Sequence, residues 1–447
     1  MEQVSFALRI VLESAATLKS ESVALEKSLG RVLACDILAN RDLPPFDVSA
    51  MDGFAVRSAD LPATLAIVED IKAGDMPKIP LLPGKCSRIM TGAALPEGAD
   101  AVIRVEDTRQ TSADAVQIDL VVKSGNDLRL RGENMQTGDV VLTAGTEITP
   151  GVIGILATVK ARKIEVHRKP SVAILSTGNE LESLDDPVDP CKIPDSNTYA
   201  LMAQVQALGI EPKLLGIAHD DQDELERHLK RGLEYDVLLV SGGTSVGVHD
   251  YVRQTMEKLD IEIKFWRVAM KPGHPLAFGL LHRTQKAFEE DAVQDARRAA
   301  TQAYLMDRQG SEYRTLQQCA ASDAFVFGLP GNPVSSMVCF EQFVAPLLRR
   351  MMGSTRLYRR TVKARLLHPF SMKPGRTEFV RVQLSSDESG YLASSTGTQS
   401  SGVLLSMARA DGLMVLSAGC TGLSAGEEVI VQLLDGTEFQ DDPGYNE

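Results

Sequence analysis

A glycine-rich run, Val240-Ser241-Gly242-Gly243-Thr244-Ser245-Val246-Gly247, is the segment best suited to chemistry. It follows the apolar stretch Val237-Leu238-Leu239-Val240 and precedes a helix predicted from about Tyr251. Glycines let a backbone come close to a ligand, and successive N–H groups ahead of a helix attract an anion. The run lacks the lysine of a P-loop and the spacing of a dinucleotide fingerprint. A second candidate is Leu329-Pro330-Gly331-Asn332-Pro333-Val334-Ser335. There Asn332 suits a helix N-cap, Pro333 the first helical position, and Ser335 the first turn with its unpaired N–H groups. A third, Arg267-Val268-Ala269-Met270-Lys271-Pro272-Gly273-His274-Pro275, is a basic loop stiffened by two prolines. Glu180, the pair Asp220-Asp221, and Asp250 follow predicted strands or the glycine run. Singly, each is a cap or a turn residue. Beside two anion loops, they point to Mg2+ bridging to phosphate through hard oxygen ligands. Pro44 to Arg57 is dense in turn formers and polar groups, as a hinge or a ligand wall would be.

These segments need a sheet to bring them together. From residue 169 the pattern is strand, loop, helix, repeated. Ser171 to Leu175 reads as a short strand, then Asp195 or Ser196 caps a helix with Leu201, Val205 and Leu208 on one stripe. Leu214 to Ala218 is the next strand, and Asp220 or Asp221 caps the helix running to Leu229. Val237 to Val240 is apolar throughout, as a strand buried on both faces should be. Alternating β and α elements predict a doubly wound sheet, which binds ligands at the carboxyl ends of its strands.

The remainder divides around this α/β domain of residues 169–353. Residues 1–43 and 136–168 form a discontinuous N-terminal linker domain, starting with one or two amphipathic helices that end near Gly30 and including a helix from Pro150 to about Val159. Residues 44–135 carry short β-rich runs between Pro and Gly turns and read as an inserted β domain. Residues 283–322 are an insertion whose first part, rich in Ala and charge, reads as a surface helix. Residues 356–447 form a small C-terminal β domain. The expected fold class is therefore multidomain α/β plus β.

Composition narrows the class of protein. With 447 residues, about three domains are expected from ~150 residues each. Lys and Arg number 47 against 60 Asp and Glu, a net charge of −13, which disfavours a general nucleic-acid or anionic-membrane binder. No apolar run reaches the roughly 18 residues of a membrane span. Glu2, Arg9 and Glu13 interrupt the first segment, so no signal peptide is expected. The six cysteines are scattered without CxxC, which favours reduced cytosolic thiols, and no HExxH pattern offers a zinc site. The expectation is a soluble, cytoplasmic enzyme.

Several segments, read in order, resemble one family. They are PPFDVSAMDGFAVR (44–57), IMTGAALPEGADAVIRVED (89–107), RGEN (131–134), ILSTGNEL (174–181), PDSN (194–197), SGGTSVGVHDYV (241–252), KPGHPLAFG (271–279) and GLPGNPVSS (328–336). The chain resembles the molybdopterin molybdenumtransferase family, which is similar to the E domain of gephyrin. The resemblance implies a central domain of the molybdopterin-binding type and a C-terminal domain like a β-barrel. It implies that adenylylated molybdopterin is bound, that molybdate is inserted at its dithiolene, and that AMP is released with Mg2+. By matching position, Asp52, Thr91, Glu180, Asp220, Asp250 and Lys271 take catalytic roles, with Glu180, Asp220 and Asp250 as metal ligands. Ser196, Asn197, Ser241, Gly242, Gly243, Ser245, Gly247, Arg267, His274, Pro330, Gly331, Asn332, Pro333 and Ser335 are implied to contact the pterin, its phosphates or molybdate. An elongated homodimer with a shared cleft is also implied, with a molybdopterin adenylyltransferase and the cofactor-using enzymes as partners. The chain departs from the family at Asn134, often Asp, at His274, usually Lys, and in the length of 283–322. Two rival readings remain. Adenylyl transfer to molybdopterin fits poorly with the β-rich domains around the central one. A non-catalytic scaffold fits poorly with retention of Asp52, Glu180, Asp250 and Lys271.

Overall fold

The computed structural model describes residues 2–219, 221–242, 251–283, 323–388 and 390–434. The chain divides into two compact units, one of Met1–Glu21, Gly30–Val32 and Val166–Glu447, the other of Ser22–Leu29 and Leu33–Glu165.

The first unit is built on a six-stranded sheet in the order Lys213–Ala218, Val172–Thr177, Val237–Ser241, Ala324–Leu329, Ala277–Leu281, Glu262–Phe265. The first four strands are mutually parallel, and the last two pairings, of Ala277–Leu281 with Ala324–Leu329 and with Glu262–Phe265, are antiparallel. Val172–Thr177, Val237–Ser241 and Ala324–Leu329 are buried at every position, which is why they occupy the middle of the sheet. Successive residues of a strand face opposite sides. Val172, Ile174 and Leu239 accordingly join a core with Leu201 and Val205, whereas Ala173, Leu175, Leu238 and Val240 pack with Leu225, Leu229 and Met256. Helix Ser196–Ala207 therefore covers one face, and helices Gln222–Gly232 and Tyr251–Lys258 the other. This is the expected α/β layering, extended by two antiparallel strands.

The beginning of the chain differs from expectation. The helix spans only Val4–Ser14, and Ala15 is already extended. Ala7 and Val11 pack beside Phe343 and Met351. Leu18 then donates its N–H to the Met351 carbonyl at 2.8 Å, and Ser20–Ala24 is a strand. Tertiary bonding and a Ser-rich, β-branched segment override the amphipathic pattern.

Within the same unit, strands Thr361–Leu366, Thr377–Asp387, Gly390–Ser395, Gly412–Leu416 and Glu428–Leu433 close into a barrel. Closure depends on the 11-residue strand Thr377–Asp387. Glu378–Val382 pairs with Gly412–Leu416, and Val382–Asp387 with Gly390–Ser395, so one strand serves both sides of the ring. Val380, Val382, Met414 and Val431 fill the interior. A closed ring leaves no strand edge unpaired.

The second unit holds another six-stranded sheet, ordered Ala101–Arg104, Gly53–Val56, Lys85–Ile89, Ala63–Ile71, Ala115–Ile118, Arg109–Ser112. Gly53 is required there, because a Cβ would lie 1.9 Å from the Ile103 carbonyl oxygen. Helix Pro150–Thr158 starts as predicted, with Thr149 capping it through Val152 N–H at 3.4 Å.

The predicted Ala-rich helix lies outside the described residues, but the neck of the insertion does not. Leu281 pairs with Ala324, and His282 Nδ1 lies 3.1 Å from Asp323 Oδ2. The two ends thus already meet as an antiparallel ladder. Replacing 286–316 by a short Gly/Ser join should change unfolding free energy by less than about 1 kcal/mol, since loop closure depends weakly on loop length. Denaturant unfolding of the two proteins checks this, and a larger loss would make the segment part of the folded core.

Candidate functional site

Strand register gathers the predicted segments of the first unit at one edge. Thr177 is opposite Ala218, Ser176 opposite Ser241, and Ser241 opposite Leu329, so four strands end together at this edge. Ala277 is opposite Gly328, which brings the loop before Ala277 to that edge as well. It is the carboxyl edge of the parallel strands, where such sheets bind ligands.

Asn197, in the first turn of its helix, ties these ends together. Its Nδ2 donates to Ser241 Oγ and to the Gly331 carbonyl, both at 2.7 Å. The helix is fixed in turn by Asp195, which accepts from Thr198 N–H at 3.1 Å, Thr198 Oγ1 at 2.7 Å and Ser176 Oγ at 3.0 Å. Asp195 is thus the cap, and Ser196 is left exposed. Gly242 sits between two strand ends. Its N–H donates to the Leu329 carbonyl at 3.1 Å, its φ is +95°, and a Cβ would lie 2.3 Å from the Thr177 carbonyl oxygen. Only glycine fits that position. At Gly331 an added Cβ would meet Gly242 Cα only at 3.8 Å, an ordinary van der Waals contact.

Thr177 Oγ1 and Asn197 Oδ1 are buried and make no hydrogen bond among the described residues. Buried polar atoms rarely stay unpaired unless a ligand or water meets them. Thr177 lies within the ILSTGNEL motif, but nothing in its residue type or spacing marks it for a role. Glu180 follows on the turn after Thr177, with its carboxylate folded over Gly178 and exposed.

The Leu329–Ser335 loop differs in one respect from expectation. Asn332 occupies the N-cap position of helix Pro333–Cys339, but its side chain makes no cap bond. The first intrahelical bond runs from Ser336 N–H to the Asn332 carbonyl at 3.0 Å, and the Ser336 hydroxyl donates to the Pro330 carbonyl, which ties the helix start to the loop before it. Ser335 is buried beside it.

On the basic loop, Lys271 Nζ forms an ion pair with Glu378 Oε1 at 2.9 Å. His274 Nδ1 lies 2.9 Å from the Val268 carbonyl, an acceptor only, so Nδ1 carries the proton and Nε2 faces away from this bond. His274 therefore braces its own loop. Arg267 is exposed and forms no ion pair among the described residues. Asp220, Gly243, Ser245, Gly247 and Asp250 lie outside the described residues.

Asp52 and Thr91 belong to the second unit, where they touch. Asp52 Oδ1 accepts from Thr91 N–H at 2.7 Å and Thr91 Oγ1 at 2.8 Å. These two bonds hold the Asp52 carboxyl below its ordinary value. Asn134 accepts from Arg129 at 2.9 Å through Oδ1, an acceptor that Asp would also supply. Asp42, which sequence reasoning did not single out, accepts from Thr137 N–H at 2.9 Å, Thr137 Oγ1 at 2.8 Å and Arg131 Nε at 2.6 Å. Asp47 accepts from Arg131 N–H at 2.7 Å. Nothing local in the sequence signals these pairs.

Thr91→Val removes the hydroxyl but keeps the N–H. The Asp52 carboxyl should then titrate at higher pH than in the native protein while staying below an unbonded aspartate. Side-chain NMR through a pH titration measures this, and an unchanged midpoint would show that the hydroxyl contributes nothing.

Comparison with known proteins covers almost the whole chain. Residues 3–159 match the "MoeA N-terminal region (domain I and II)", residues 173–350 the "Probable molybdopterin binding domain", and residues 363–434 the "MoeA C-terminal region (domain IV)". A molybdopterin molybdenumtransferase of Staphylococcus epidermidis is 30% identical over 447 residues, spanning 98% of this chain and 97% of its own. One from Nostoc is 35% identical over 422 residues, spanning 92% and 88%. A crystal structure of a molybdopterin biosynthesis MoeA protein from Pyrococcus horikoshii matches with a TM-score of 0.75 and 31% identity, over 96% of this chain and 98% of that one. The described fold and these relatives agree from one end to the other: the chain belongs to the molybdopterin molybdenumtransferase family, a family of transferases in molybdenum cofactor biosynthesis.

Proposed function

We propose that this protein inserts molybdate into adenylylated molybdopterin and releases AMP. The observation that carries this reading is family membership over nearly the full chain, at 30–35% identity to curated molybdenumtransferases. The carboxyl edge supports it chemically. Asn197, Ser241 and Gly242 form a close, polar approach at strand ends, suited to a phosphorylated ligand. Lys271 and Arg267 supply fixed positive charge for a divalent oxyanion. Holding the dithiolene and the oxyanion in register lowers the entropy cost of their meeting. Thr91 orients the Asp52 carboxylate and favours its ionised form, as a charged participant requires.

Mg2+ belongs to the proposal. Of its proposed ligands Glu180, Asp220 and Asp250, only Glu180 is among the described residues, and its exposed carboxylate offers one hard oxygen donor. The described residues alone gather no set of three His, Cys, Asp or Glu side chains. When bound, the ion would neutralise phosphate charge. The proposed scheme keeps the division into 1–43 with 136–168, 44–135, 169–353 and 356–447. It also keeps a homodimer, a cytoplasmic location, and exchange with an adenylyltransferase and cofactor-using enzymes. Among the described residues no helix is long and apolar enough to cross a membrane.

Glu180→Ala and Asp250→Ala should each lower molybdate-dependent AMP release by at least about 100-fold, a loss of several kcal/mol of transition-state stabilisation, with cooperative unfolding retained. A chelator should stop the native reaction, and added Mg2+ should restore it. Near-normal turnover in both variants would remove these carboxylates from the mechanism.

A further inference from the structure

The ion pair between Lys271 and Glu378 joins residues 107 positions apart. Its two ends are unequal. The Glu378 side chain is 5% exposed, whereas that of Lys271 is 45% exposed. Hiding both charges of an ion pair would cost the hydration of each. Here the carboxylate is hidden and the ammonium still faces outward. An ammonium has three N–H donors, so one bond to Glu378 leaves others for a second anion.

The backbone fixes this geometry. Met270–Lys271 pairs in parallel with Thr377–Glu378, in the register Lys271 opposite Glu378, and Thr377 N–H donates to the Ala269 carbonyl at 3.0 Å. Glu378 lies on the long strand that closes the barrel. On the other side, Gly273 packs on Cys339: a Cβ there would lie 2.5 Å from Sγ. The loop cannot drift from the carboxylate, nor the carboxylate from the loop. Arg381, buried on the same strand, feels the attraction of Glu378 but forms no ion pair among the described residues.

We propose that Glu378, supplied by the C-terminal barrel, is a positioning residue that holds the Lys271 ammonium at the carboxyl edge and tempers its attraction for the oxyanion substrate. This rests on the reading of Lys271 as an oxyanion contact. With Glu378 ionised, the pair is neutral and an incoming dianion must share the ammonium with a buried carboxylate. Binding is then weaker than to a free lysine, and the cation stays in place between turnovers.

Glu378→Gln keeps the size and an acceptor oxygen but removes the charge. The molybdate concentration giving half-maximal AMP release should fall about three- to tenfold, and the difference should shrink at high salt, as expected for one uncompensated charge. Glu378→Asp keeps the charge but withdraws it by one methylene, so half-saturation should rise about two- to fivefold through lost positioning. In a Lys271→Ala background neither change should matter, because coupling vanishes when the partner is gone. An unchanged or raised value in Glu378→Gln overturns the proposal, as does an effect that persists without Lys271. If Glu378→Gln does not fold, an unchanged value in Glu378→Asp overturns it. If Lys271→Ala alone leaves half-saturation unaltered, the underlying reading of Lys271 fails instead, and the two failures are told apart.

Discussion

One amide organises the carboxyl edge. Asn197 Nδ2 bonds both Ser241 Oγ and the Gly331 carbonyl, so a single side chain fixes the helix start against the ends of two parallel strands. Everything nearby depends on that spacing. Gly242 fits only because the strand ends carrying Thr177 and Leu329 flank it closely. The Asp195 network holds the helix at the angle Asn197 needs.

The two edges of the sheet are treated differently. At the amino edge, Asp236 accepts from Arg168 at 2.7 and 2.8 Å and from Ser171 N–H and Oγ at 2.7 and 2.9 Å. Burial alone would raise its carboxyl, but the bonds from Arg168 and Ser171 outweigh burial and bring it to about 2. That edge is satisfied and serves stability. At the carboxyl edge Thr177 Oγ1 and Asn197 Oδ1 are buried and make no hydrogen bond among the described residues. The difference matches the rule that α/β sheets bind at the carboxyl ends.

Much of this was legible in the sequence because the signals are local. Val237–Val240 reads as a central strand from its unbroken apolarity, and Thr361–Leu366 and Glu428–Leu433 follow from alternation. The glycine and proline motifs mark where loops leave the sheet. What stayed hidden depends on distant contacts. The helix stops at Ser14 because Leu18 bonds to Met351, far along the chain. The Asn332 side chain makes no cap bond, while the Ser336 hydroxyl ties the helix start to the Pro330 carbonyl, a contact that no cap motif announces. Glu378 has no motif of its own and gains meaning only from strand pairing with Lys271. Barrel closure likewise rests on one strand being long enough for two partners, which spacing does not reveal.

The proposed reaction couples transfer of a metal to loss of a nucleotide. The direct measurement mixes the native protein with adenylylated molybdopterin, molybdate and Mg2+, and compares molybdenum bound to the released pterin with free AMP. The account predicts equal amounts of the two, no ATP consumed, and no AMP when molybdate is omitted. AMP released without molybdenum on the pterin would contradict it, as would ATP-dependent adenylylation of molybdopterin or binding without any turnover.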